Sequence, residues 1–153
     1  MTELPASQPS LSGVLRLSDW GLIRASGPEA RQFLHGQLTQ DVLHLQPGRS
    51  RLAGYCSPKG RLLASFVLWP VGAEEVLLAC SADLLPATLK RLSMFVLRAR
   101  CKLSDASGEF EVWGCAGDAA RGAGDEAGAV VEGDAGWSVR LTDAPVDGVA
   151  VPR

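Results

Sequence analysis

Apolar and polar positions change their rhythm several times along the chain, and each rhythm predicts an element. Val14-Leu15-Arg16-Leu17 and Gly21-Leu22-Ile23-Arg24-Ala25 read as short strands on either side of a turn at Ser18-Asp19-Trp20. Ser26-Gly27-Pro28-Glu29 has the form of a capping box, in which the serine hydroxyl accepts a backbone N–H three residues on and Glu29 reaches back. Ala30, Phe33, Leu34 and Leu38 then fall at helical spacing and predict a helix with one buried face. Gly36 and Thr39 interrupt it, and Thr39-Gln40-Asp41-Val42 can cap a short turn that ends before Pro47-Gly48.

Three strands are expected next, over about 51–56, 61–69 and 75–80. The middle run, Leu62 to Trp69, is apolar on both faces and predicts a central strand buried on both sides. Ser81 or Asp83 can cap a second helix that tolerates Pro86 near its start and carries Leu85, Leu89, Leu92 and Val96 as its apolar stripe. Residues 97–103 alternate Arg98, Arg100 and Lys102 with Ala99, Cys101 and Leu103, the pattern of a strand with one basic face. Beyond Gly108 the texture changes. Residues 109–113 alternate as a strand, 114–136 are rich in Gly, Ala and acids, and 137–141 offer another strand.

These elements imply an α+β fold, an antiparallel sheet with two main helices packed against it. Residues 1–12 read as a flexible leader, 13–105 as an α+β domain, and 106–153 as the start of a second α+β subdomain. That last segment is too short and too poor in apolar surface to fold alone, so it either packs on the first unit or belongs to an incomplete one.

Composition narrows the classes. The 153 residues are 46% hydrophobic and 21% charged with a net charge of -2, which excludes a disordered chain and gives no nucleic-acid signature. No direct nucleic-acid partner is expected. No apolar run approaches the roughly 20 residues of a membrane span, and the leader has no apolar signal core, so a cytoplasmic protein without a membrane partner is expected. Cys56, Cys80, Cys101 and Cys115 are widely spaced, lack a C-x-x-C pair and read as reduced, buried residues. With only His35 and His44 to join them, no metal site is expected.

Ser57-Pro58-Lys59-Gly60 meets the demands of a hairpin turn: proline presets the second position, and Gly60 can take the positive φ of a type I turn followed by a bulge. Lys59 and Arg61 join Arg49 and Arg51 on neighbouring strand ends. Four cations near one hairpin form either a solvated basic face or an attractor for an anionic ligand. Lys59 can favour a thiolate at Cys56, although a buried strand thiol is the simpler reading. Gly122 to Ala127 formally match a dinucleotide fingerprint, but no buried strand leads into them and no helix follows. No Ser/His/Asp order or H-E-x-x-H motif offers a catalytic setting.

The segments Phe33-Leu34-His35-Gly36-Gln37-Leu38-Thr39-Gln40-Asp41-Val42 and Tyr55-Cys56-Ser57-Pro58-Lys59-Gly60-Arg61-Leu62-Leu63-Ala64 together resemble the YgfZ/GcvT-like folate-binding proteins. In that family a helix reading like F-L-x-G-Q-L-T-N-D-V precedes a hairpin reading like Y-C-T-P-K-G-R. The helix after Cys80 and the basic run from Val96 to Leu103 look like its continuation, so the resemblance spans roughly residues 12 to 105. It implies a tetrahydrofolate-binding protein that supports assembly or repair of iron-sulfur enzymes, including those that modify tRNA, with iron-sulfur enzymes or assembly proteins as partners. It also implies a folate pocket lined by the central strands and the turn into the second helix. Ser65, Cys80 and Ser81 would lie near the pterin, and Tyr55, Lys59 and Arg61 at the pocket mouth. The anionic glutamate tail of folate would give the basic hairpin a purpose.

The related aminomethyltransferase of glycine cleavage shares the fold and carries a carboxylate pair on the strand after the hairpin. The matching positions here are Ala64 and Ser65. Neither can ionise, so no catalytic residue, and no aminomethyl transfer by that mechanism, is expected. An aminomethyltransferase-like one-carbon transferase whose acid or base comes from elsewhere stays open, as does a module that binds only protein. The family's later K-G-C-Y-x-G-Q-type segment does not occur among these residues. The chain is therefore expected to be an N-terminal portion, truncated before the family's C-terminal β-barrel.

Overall fold

The computed structural model describes residues 11–146 and 149–153. The leader expected over 1–12 lies almost wholly outside the described residues. Five strands form an antiparallel sheet: β2 (Trp20–Ser26), β3 (Arg51–Cys56), β4 (Leu62–Val71), β5 (Glu75–Ser81) and β6 (Lys102–Asp105), in the order β3-β4-β5-β2-β6. The three strands expected over 51–80 are all present. The run Leu62 to Trp69 is an interior strand as expected, flanked by β3 and β5, but its hairpin half is not buried on both sides: Leu62 and Ser65 are exposed.

Two helices, α1 (Ala30–Gln37) and α2 (Leu85–Met94), close one face of the sheet. Ala30, Phe33 and Leu34 of α1 and Leu85 and Leu92 of α2 meet Ile23, Ala25, Ala53, Tyr55, Ala64, Phe66, Leu68, Val76, Leu78 and Cys80 in the main core. Pro86 sits in the first turn of α2, where its missing N–H has no helical partner to lose. The capping box does not form. Ser26 ends β2, and the Glu29 carboxylate instead accepts the Arg100 backbone N–H at 2.7 Å and its Nε at 3.1 Å. Gly27 makes this crossing possible: its φ is +125°, and a Cβ there would run into the Arg100 carbonyl oxygen.

The strand expected over 97–103 is reduced to β6. Residues 95–101 run in turns that the Glu29 contacts hold against the start of α1, so the basic and apolar alternation there is not a sheet pattern. Likewise 109–113 is not a strand. Pairing begins at β7 (Trp113–Ala116), which joins β1 (Gly13–Arg16), while Phe110 and Val112 pack on the second face of the five-stranded sheet. That face carries Leu22, Trp69, Leu77 and Ala79, and it is covered by Ala106, Phe110, Val112, Val130, Trp137 and Val139. The covering chain contains a short 3-10 helix (Gly117–Ala123) and the ribbons β8 (Val130–Gly133) with β9 (Gly136–Val139) and β10 (Ala144–Val146) with β11 (Val149–Val151). Ala106, Phe110, Val112, Val130, Trp137 and Val139 thus pack on the first unit.

Polar ties fix this second layer. Arg24 on β2 donates to Glu75 at 3.0 Å and to both Glu109 oxygens at 2.7 and 2.8 Å, with its guanidinium carbon 5.7 Å from the Phe110 ring centroid. Phe110 in turn meets Trp137 edge to face at 5.7 Å. Ser50 N donates to the Gly128 carbonyl at 2.7 Å and Val130 N to that of Gly48 at 2.9 Å, so the loop before β3 is clipped to the loop before β8. No helix among the described residues is long and apolar enough to cross a membrane.

Candidate functional site

The β3–β4 hairpin forms as the sequence predicts. Gly60 has φ +76°, its N–H donates to the Ser57 carbonyl at 2.8 Å, and Ser57 N donates to the Arg61 carbonyl at 2.8 Å. Gly60 is itself the bulge expected after a type I turn, and a separate irregularity with Leu63 as the extra residue shifts the register between Tyr55 and Cys56. The four cations do not gather. Arg49 is paired with Glu126 at 3.1 Å, and Arg51 stands opposite Leu68, roughly 17 Å along the strand from the turn at about 3.4 Å per residue. Only Lys59 and Arg61 belong to the tip, and both are exposed.

The helix motif and the hairpin motif bind each other. Leu38 bridges to Tyr55, Thr39 N donates to the Gly54 carbonyl at 2.9 Å, and Gly54 N donates to Thr39 Oγ1 at 2.8 Å. Gln40 Nε2 adds a bond to the Leu52 carbonyl at 3.1 Å. Leu38 to Gln40 therefore satisfy the outer edge of β3, which would otherwise expose its backbone donors and acceptors. Asp41 closes the following turn by accepting from His44 N at 3.2 Å and lies within reach of both His44 and His35. The His44 ring bond holds the Asp41 carboxyl below its ordinary range.

The sequence-predicted pocket residues divide between the two faces. Tyr55 and Cys80 point into the main core and are 4% and 1% exposed. Burial, with Asp105 and Asp83 nearby, pushes the Cys80 thiol up to about 11, so it is neutral and shielded. Burial likewise raises Cys101. Of the cysteines expected to be buried, only Cys80 is; Cys56, Cys101 and Cys115 are half-buried because they sit at element ends or on the ribbons. Ser81 is exposed at the end of β5 and donates to Asp83 at 2.6 Å, which uses its hydroxyl locally. Ser65 is exposed and opposes Gly54, on the face away from the helices.

Around Ser65 the second face of the sheet is open. Leu52 is 65% and Leu62 60% exposed, and a Cβ on Gly54 would meet the Leu62 side chain at 3.0 Å, so Leu62 lies over that glycine. Leu52, Leu62 and Ser65 thus make a shallow platform over Gly54, which Thr39 also covers, and the tip cations Lys59 and Arg61 belong to the same hairpin. Sequence reasoning missed Leu52, Gly54 and Leu62. The signal was the alternation in Leu52-Ala53-Gly54-Tyr55-Cys56, whose even positions share a face with Ser65. Among the described residues no three His, Cys, Asp or Glu side chains come together as a metal site.

The sheet with helices on one face is an α+β unit that a solved structure shares. Glycine cleavage aminomethyltransferase T from Bartonella henselae superposes with a TM-score of 0.59 at 23% identity, over 61% of this chain and 26% of that one. The tRNA-modifying protein YgfZ of Hamiltonella defensa is 31% identical over 118 residues, 77% of this chain and 34% of its own length. YgfZ of Serratia proteamaculans is 28% identical over 124 residues, 78% of this chain and 37% of its own. No protein-family model matches the chain. Along most of its length the chain is thus similar to YgfZ proteins, and it shares its fold with the aminomethyltransferase. It spans about a third of the length of the curated relatives it matches.

Proposed function

We propose that this chain contributes the first α+β unit of a tetrahydrofolate-binding accessory protein that supports iron-sulfur cluster assembly or repair and iron-sulfur-dependent tRNA modification. The observation that carries this reading is the likeness, along 77% of the chain, to a protein described as tRNA-modifying YgfZ. The open hairpin face fits the chemistry of folate. A flat heteroaromatic ring can lie on Leu52 and Leu62, Ser65 can hydrogen-bond its edge, and Lys59 and Arg61 can meet an anionic glutamate tail. Tyr55 and Cys80 act from beneath by holding β3 and β5 in place, and Ser81 stays with Asp83. Ala64 is buried at 2% exposure and Ser65 carries only a hydroxyl, so the platform supplies no carboxylate to act on a folate amine. The iron-sulfur partners and a cytoplasmic location belong to the same proposal.

Calorimetric titration with tetrahydrofolate tests it. Saturable heat that falls when Lys59 and Arg61 are neutralised supports the reading, and no heat at millimolar ligand with folded protein removes it for this chain. Formation of methylenetetrahydrofolate from an aminomethylated carrier would instead establish a transferase.

A further inference from the structure

Between α2 and β6 the molecule presents apolar surface and charge of one sign together. From Leu84 to Ser104 the chain carries Lys90, Arg91, Arg98, Arg100 and Lys102 and no carboxylate, in a protein whose net charge is -2. Met94, Phe95 and Leu97 are 57%, 44% and 86% exposed, although the buried stripe of α2, Leu85 and Leu92, faces inward. Leu97 has φ +44°, the only positive φ at a non-glycine position among the described residues. That conformation is unfavourable for an L-residue, and here its result is to stand a leucine side chain in water. Strain that displays an apolar group, where a relaxed backbone is available, points to recognition.

We propose that this apex docks an acidic amphipathic helix of a partner protein, with apolar side chains seated on Met94, Phe95 and Leu97 and carboxylates meeting Lys90, Arg98 and Lys102. Charge complementarity selects the occupant. Arg100 is left out because Glu29 already holds it at 3.1 Å. The Arg91 guanidinium lies 6.0 Å from the Phe95 ring centroid and occupies one ring face, which leaves a single face for contact, and an oligouridine arm tests an RNA base as its occupant. A membrane surface calls for a continuous apolar helix face, and α2 turns its own to the core. The inference stands apart from folate binding and survives the loss of that reading.

The test is fluorescence anisotropy on the full chain with a labelled helical peptide of Leu and Glu at heptad spacing. A Lys-for-Glu version of the peptide, labelled oligouridine, and phosphatidylserine vesicles run in parallel. Saturable binding of the acidic peptide is expected, weakened roughly tenfold or more by Leu97→Gly or Arg98→Glu and unchanged by Arg51→Glu, which lies at the far end of the β3–β4 hairpin. Leu97→Gly relieves the positive φ, so a melting curve should show its fold retained. No saturable binding of the acidic peptide, binding by both Leu97→Gly and Arg98→Glu equal to that of the unaltered chain, or preference for oligouridine or vesicles overturns the proposal.

Discussion

The two faces of the five-stranded sheet are built by the same strands and treated differently. β4 sends Ala64, Phe66 and Leu68 to the helix side, where each is 2% exposed or less, and Ser65, Val67 and Trp69 to the other. On that second side exposure is graded: Ser65 is open, Val67 half-buried, and Trp69 6% exposed. The gradient follows the chain, since α1, α2 and the loop residues Leu38, Val42 and Leu45 together cover the helix side, while the segment from Ala106 packs with Leu22, Trp69, Leu77 and Ala79. Strand alternation gives a sheet two chemically independent surfaces, and here one is dedicated to stability while the hairpin end of the other is left for contact.

Mutations should separate these surfaces by size of effect. On the helix face Phe66→Ala leaves a cavity and should cost about 3–5 kcal/mol in denaturant unfolding, enough to threaten the fold. On the covered half of the second face Phe110→Ala removes the edge contact with Trp137 and the seat of the Arg24 guanidinium; a loss of about 1–2 kcal/mol is expected. Its signature is faster hydrogen exchange along 106–139 with β5 unchanged. Uniform loosening of both faces would show that the two layers unfold as one. On the open half Leu52→Ser should change stability by no more than about 0.5 kcal/mol, because that side chain is already in water. A cost matching that of Phe110→Ala would mean the platform is covered in solution.

What could be read from the sequence divides along the same line. The helix face was legible because its determinants are local: the period of Ala30, Phe33 and Leu34, the three strands over 51–80, and the Ser57 to Gly60 turn all act within a few residues. The hairpin that carries the candidate platform was found for the same reason. What failed depended on partners distant in the chain. Ser26 to Glu29 has a capping pattern, but Arg100 arrives across 71 positions and takes the carboxylate. Arg49 and Arg51 looked like neighbours of Lys59 until Glu126 claimed one and strand length separated the other. Cys80 looked like a pocket residue beside Ser81, yet consecutive strand residues face opposite sides.

The crossing at Glu29 yields the smallest effect and the most specific one. Its carboxyl is held below the ordinary carboxylate range, first by the Arg100 backbone N–H and then by the Arg100 side chain, against a smaller opposing effect of burial. A carboxyl lowered in the folded state contributes stability that is present above its unfolded value and lost as pH falls through the folded one. The turns over 95–101 should therefore be held firmly at neutral pH and loosen only in acid, below the range where an ordinary glutamate protonates. Amide protection at Arg100, followed by NMR across an acid titration, should fall with Glu29 while β5 amides keep theirs. Glu29→Gln still offers an acceptor but no charge, so protection should be lower at neutral pH and the acid step should vanish. If the step persists in that variant, another group holds the turn, and the display of Leu97 does not depend on Glu29.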